Sequence, residues 1–167
     1  AYDNLVFGHR AAVPPGSLVV GDLHDRTLLE RTLRDLEIEA VMHFAAFAQV
    51  GESVVDPAKY FQNNVVGSLS LLEAMRAADV KRIVFSSTTA TYGVPQTLPI
   101  SESEPQRPIN PYGYSKLVVE QALANEGLSQ QELSRGIGRR VLDRLLKLVQ
   151  RQVELVLVQV DLPQLDV

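Results

Sequence analysis

Apolar residues fall into two kinds of run along this chain, and their alternation predicts its architecture. Residues 17–20, 40–46 and 82–86 are short, β-rich or unbroken apolar stretches bounded by turn residues, the pattern of strands in a parallel sheet covered on both faces. Between them, hydrophobic positions recur at helical spacing. Leu28, Leu29, Leu33 and Leu36 follow Asp25, which is placed to cap a helix over 25–36. Asp56 and Pro57 open a long helix reaching to about Ala78, with Asp as cap and Pro in the first turn. Pro111 opens a third helix. Gly8, Pro14, Pro15 and Gly16 mark one loop, and a second is expected through Gly51 and Ser53. Strand, helix, strand, helix in this order gives βαβ units and a parallel sheet. Ligands of such sheets bind beyond the carboxyl ends of the strands. Asp3, Asp22, residues 44–46 and residues 86–88 all lie at or just after strand ends.

Composition narrows the classes of function. The 167 residues suit one domain, and 46% hydrophobic content is ordinary for a globular protein. Sixteen basic against twenty acidic residues give a net charge of −4, which favours neither nucleic acid nor a membrane surface as partner. With no Cys there is neither a disulfide nor a thiolate metal site. His9, His24 and His43 are too scattered for a metal site, so none is expected, and His43 reads as a core histidine. Tyr60 and Phe61 are likewise expected in the core. No apolar run is long enough to span a bilayer and no signal peptide is visible, so a cytoplasmic protein is expected.

The candidate chemistry lies in two stretches: Phe85-Ser86-Ser87-Thr88, and Tyr112-Gly113-Tyr114-Ser115-Lys116. Tyr and Lys four residues apart on a helix share one face. A cation fixed beside a phenol favours the phenolate and makes a base of it near working pH. A hydroxyl from the preceding strand end can hold a substrate alcohol against that base. The pattern suits nicotinamide-dependent oxidation of an alcohol. Alone it is weak, because Y-x-x-x-K recurs by chance on solvated helices.

The ordered set is what makes it specific. Asp3-Asn4-Leu5, Gly8-His9-Arg10, Gly21-Asp22-Leu23, His43-Phe44-Ala45-Ala46 and Val50-Gly51-Glu52-Ser53-Val54 resemble the extended short-chain dehydrogenase/reductases, the NAD-dependent epimerase/dehydratase family. So do Asn63-Asn64-Val65 with Gly67, the Phe85 to Thr88 stretch, and Tyr112 to Lys116. The resemblance covers about 1–123. It implies NAD as cofactor and an incomplete Rossmann-type, doubly wound parallel sheet with helices on both faces. It implies that Asp3 and Asn4 meet the adenosine ribose, Asp22 and Leu23 line the adenine pocket, and Phe44, Ala45 and Ala46 pass close to the cofactor. Asn63 and Ser86 would also contact the cofactor. Thr88 would be the catalytic hydroxyl, Tyr112 the base, and Lys116 the residue that binds nicotinamide ribose and tunes Tyr112. The activity implied is interconversion of UDP-glucose and UDP-galactose through a 4-keto sugar. The partners expected are a UDP-sugar and a second copy in a homodimer. The alternatives are another sugar-nucleotide epimerase or dehydratase, or a non-catalytic relic serving as an interaction module.

Two departures qualify the resemblance. No G-x-x-G-x-x-G turn occurs in the 167 residues, and Gly136-Ile137-Gly138 lies within a helical pattern rather than after a strand. After Leu123 the family pattern stops. Residues 129–151 are amphipathic, with Leu133, Ile137, Leu145 and Leu148 on one side and Arg135, Arg139, Arg144 and Lys147 on the other. Residues 154–160 are a β-like run. The expected organisation is a partial NAD-binding domain over 1–124 and a divergent tail over 125–167 belonging to the same domain. The chain alone is expected to be inactive.

Overall fold

The computed structural model of the chain describes residues 1–125. The tail expected over 125–167 therefore lies, apart from its first residue, outside the described residues. Among the described residues four strands form two parallel pairs. Strand β1 (Tyr2–Asp3) lies beside β2 (Val19–Val20), with Asp3 opposite Val20. Strand β3 (Ala40–His43) lies beside β4 (Arg82–Phe85), in register from Ala40 with Arg82 to His43 with Phe85. Parallel neighbours need a crossover, and that between β3 and β4 is helical. It comprises α2 (Val50–Val55), α3 (Pro57–Tyr60), a π-helical turn (Phe61–Val66) and α4 (Gly67–Ala77). Helix α1 (Arg26–Asp35) precedes β3, and α5 (Pro111–Asn125) follows β4.

Local chemistry explains the helix starts. The Asp25 carboxylate accepts from the Leu28 N–H at 2.9 Å, and the Asp56 carboxylate from the Lys59 N–H at 3.1 Å with Pro57 in the first turn. The leucine spacing then decides what α1 buries. Leu29 and Leu33 pack with Leu71, Leu72, Ala74 and Met75 of α4 and with Val80 and Ile83. The outer face of α1 stays wet: Arg26 pairs with Glu73, and Arg34 with Glu30 one turn away.

Three details depart from expectation. The loop expected through Gly51 and Ser53 is helix α2. Glycine and serine are poor helix formers, but Ser53 is fully buried and its hydroxyl donates to the Val50 carbonyl at 2.6 Å, so tertiary packing overrides propensity. The apolar run 40–46 leaves the strand after His43, and of β3 only His43 is buried. The long helix is continuous from Pro57 to Ala77 but widens to π geometry over Phe61–Val66. A π turn redirects side chains that an unbroken α-helix would place elsewhere. Phe61, expected in the core, is 38% exposed, whereas Tyr60 is fully buried.

Candidate active site

Asp3 ends β1, and its carboxylate accepts from the Leu5 N–H at 2.6 Å. Gly8 lets the following loop fold back over it: a Cβ there would stand 2.5 Å from the Asp3 carboxylate oxygen. Just beyond β2, Asp22 accepts from the Asn4 side chain at 2.8 Å and from the His24 N–H at 2.9 Å. Hydrogen bonds from Asn4 and His24 hold the Asp22 carboxyl down at about 2. The His24 ring joins this loop to the π turn, with Nδ1 at 2.6 Å from Asp22 and Nε2 at 3.1 Å from the Gln62 carbonyl oxygen. These strand ends enclose a cavity of about 180 Å³. All of Asp3, Asn4, Asp22, Leu23, Phe44, Ala45, Ala46 and Asn63 line it. The residues picked out on separate segments of sequence therefore meet at one place.

The remaining candidates gather beyond β4. Lys116 is 3% exposed, and its Nζ donates to the Ser86 carbonyl at 2.9 Å and sits 4.7 Å from the Phe85 ring centroid. Burial brings the Lys116 ammonium down to about 8, with Glu120 opposing the change. Ser86 thus meets Lys116 through its backbone. Thr88 opens a 3-10 turn over Thr89–Thr91, where its Oγ1 accepts from the Ala90 N–H at 3.2 Å. That leaves the hydroxyl proton free for another acceptor. Gly113 lets α5 press onto this turn, since a Cβ would stand 2.5 Å from the Ala90 carbonyl oxygen. Tyr112, half-buried at the head of α5, meets the buried Tyr60 ring edge-on, with centroids 6.4 Å apart. No direct hydrogen bond joins the Thr88 and Tyr112 hydroxyls among the described residues. His43 is a core histidine as expected: its Nε2 lies 2.7 Å from Ser68 Oγ, and burial together with the Lys116 charge lowers it to about 4.

Sequence reasoning missed Asn64. Its side chain is 2% exposed and points inward from the π turn. The amide oxygen accepts from the Phe47 N–H at 2.8 Å, while its nitrogen donates to the Phe47 carbonyl at 2.9 Å and to Ser115 Oγ at 3.0 Å. Ser115 in turn donates to the Tyr112 carbonyl at 2.7 Å. Asn64 thus ties the cavity loop after β3 to the first turn of α5. The signal was present: a second helix-disfavoured Asn directly follows Asn63. Tyr2, Val6, Phe7 and Phe47 also line the cavity and were not singled out.

Two pairs of parallel strands, the β3–β4 pair joined by a helical crossover, and a cavity at strand carboxyl ends define an incomplete Rossmann-type α/β domain. The sequence model described as GDP-mannose 4,6 dehydratase matches residues 9–132, and the chain belongs to that family of extended short-chain dehydrogenase/reductases. Among its relatives, UDP-glucose 4-epimerase from Streptomyces lividans is 55% identical over 125 residues, covering 74% of this chain and 38% of that protein. The same-named protein of Lactobacillus helveticus is 53% identical over 123 residues, covering 73% of this chain and 37% of its own length. The crystal structure of UDP-glucose 4-epimerase from Brucella ovis in complex with NAD superposes with a TM-score of 0.74 at 52% identity. That match covers 77% of this chain and 39% of the other. The chain thus spans well under half the length of these relatives.

Proposed function

We propose that these residues form the cofactor side and reacting pair of a UDP-glucose 4-epimerase. The observation that carries the proposal is the convergence of Asp3, Asn4, Asp22, Leu23, residues 44–46 and Asn63 on one cavity. A nicotinamide dinucleotide fits this donor set. Carboxylates at strand ends suit ribose hydroxyls and repel a ribose phosphate, and the small side chains of Ala45 and Ala46 allow close backbone approach. NAD, when bound, would supply reversible hydride acceptance.

The chain's own residues handle the proton. Tyr112 takes it from the sugar hydroxyl being oxidised and returns it after the sugar has turned. Lys116 holds a positive charge one turn along the same helix face and grips the end of β4 through Ser86. Thr88 offers its hydroxyl proton to orient the reacting oxygen. A UDP-sugar as substrate and a homodimer as assembly belong to the same proposal. For the dimer, Phe61, Leu69 and Tyr114 leave apolar surface exposed on the π turn, α4 and α5, and light scattering of the purified chain reads its mass.

The test is a titration with NADH followed by reduced-nicotinamide fluorescence, for which the absence of Trp leaves a low background. The 167 residues hold no G-x-x-G-x-x-G turn to bring backbone amides to the pyrophosphate, so weak binding is expected, which Asp3→Ala should weaken by about a further tenfold. Binding indifferent to Asp3→Ala, or no binding up to millimolar NADH, would overturn the assignment of the cavity. The 167-residue chain by itself is expected to show no epimerase turnover, since relatives bearing that name are far longer.

A further inference from the structure

We propose that Glu120 is a positioning residue of this site, clamping the loop after β4 to α5 and balancing the charge of the buried Lys116. Two consecutive loop residues are gripped by α5 from positions one turn apart. The Lys116 ammonium donates to the Ser86 carbonyl at 2.9 Å, and the Ser87 hydroxyl donates to one oxygen of Glu120. The other Glu120 oxygen accepts from Gln106 Nε2 at 2.6 Å. One carboxylate therefore joins three segments: the hydroxyl loop leading to Thr88, the stretch preceding α5, and α5 itself. Lys116 and Glu120 share a face of the helix at the spacing where opposite charges support each other.

The surroundings of Lys116 show why such a carboxylate matters. Strand β4 presents the Phe85 ring and the loop after it the Ser86 carbonyl, neither of which carries a full negative charge. Strand β3 presents His43, which burial and Lys116 keep neutral. Tyr112 stands one turn earlier on α5 itself. Glu120 is the acidic group that offsets the cost of burying the ammonium. Its bonds to Ser87 and Gln106 hold its carboxylate on this side of the helix. The role in catalysis rests on the reading of Tyr112 and Lys116 as the reacting pair, but the link itself is measurable without cofactor.

The experiment follows the Lys116 side chain by carbon NMR from neutral to strongly alkaline pH, in the unmodified chain and in Glu120→Gln. The variant keeps the shape of the side chain and an acceptor oxygen for Gln106, turns toward Ser87 an amide that its hydroxyl can accept from, and removes the charge. The expected result is a fall in the Lys116 midpoint by about half a pH unit with helix content unchanged. A midpoint that stays put would overturn the proposal. If Glu120→Gln does not fold, Ser87→Ala tests the clamp with the charge retained. Amide exchange at Ala90 and Thr91, in the turn that Thr88 caps, should then speed up about fivefold or more. Unchanged exchange would equally overturn it. Neither readout involves NADH, so failure here is separable from failure of the cofactor assignment.

Discussion

The two halves of the site treat charge in opposite ways. Around the cavity, Asp22 keeps much of its surface in water and is held ionised by Asn4 and His24. Beyond β4, the charge of Lys116 is buried against a ring and a carbonyl, and burial works against it. The polar neighbours there are buried as well: His43, Asn64, Ser68 and Ser115. An exposed carboxylate presents charge to a ligand at little cost to the fold. A buried ammonium against a ring and a carbonyl requires a network of neutral hydrogen bonds to hold its surroundings in place. The first region should therefore tolerate substitution, and the second should carry much of the stability.

The largest effect is expected at Asn64. Replacement by alanine removes four side-chain hydrogen bonds, one of them from Asn63, and orphans the backbone groups of Phe47, with an expected loss of about 3 kcal/mol. Asn63→Ala, one position away and facing the cavity, should cost less than about 1 kcal/mol. Urea denaturation of the two variants measures the contrast directly. Equal losses would break the distinction between the regions.

A pH series should show a comparable change without any mutation. The folded His43 sits at about 4 against an ordinary value of 6.5, so between these values the unfolded chain binds a proton that the fold does not. Stability is accordingly full above 6.5 and declines as pH falls toward 4, by up to about 3 kcal/mol for a shift of this size. Lys116 acts on the alkaline side. Folded at about 8 against 10.5, it sheds its proton earlier than the unfolded chain does, so stability rises with pH through that window. Tyr2 and Tyr60, both pushed up to about 12 from 10.0 chiefly by burial, reverse the trend at higher pH. Unfolding midpoints that stay flat from pH 6.5 down to 4 would refute the His43 contribution.

The contrast also explains what could be read in the sequence. The placement of Asp3, Asp22 and Ser86 at or just after strand ends was legible because apolar runs bounded by turn residues mark where strands stop. Helix α1 was legible from an Asp cap and leucine spacing, both local signals. Helix α2 was not, because its Gly and Ser argue locally for a loop while buried Ser53 and the Tyr60 hydroxyl, hydrogen-bonded to the Gln49 backbone, fix the segment through tertiary contact. The π turn and the inward Asn64 were hidden for a related reason. Periodicity marks a helix but not the extra residue that rotates one side chain into the core. Glu120 carries no local signal in the sequence, and only the positions of Ser87 and Gln106 distinguish it.

Lys116→Met should sharpen the comparison with a gain rather than a loss. Methionine keeps the length of the buried stem and removes the desolvated charge, while the Ser86 carbonyl loses its partner. The two terms oppose each other, and a net stabilisation of about 1 kcal/mol is expected near neutral pH. A rise in the urea midpoint would mean that Lys116 is kept for chemistry at the expense of the fold. A fall would mean that the ammonium is a structural tie.

The smallest effect is expected at Asp22. Asp22→Asn preserves the shape of the side chain and one acceptor oxygen, enough for the His24 N–H but not for Asn4 as well, while removing its charge. The Asp22 side chain is 46% exposed. Solvent screens much of what the neighbouring donors gain from the carboxylate, so the expected loss is below about 0.5 kcal/mol despite the large displacement of its titration. NADH affinity is the sensitive readout, because the charge faces the cavity rather than the core. Unchanged stability with weakened NADH binding is the expected pair of outcomes. A loss above about 2 kcal/mol would place Asp22 among the residues that hold the fold together, and the division between a tolerant cavity region and a stabilising region beyond β4 would fail.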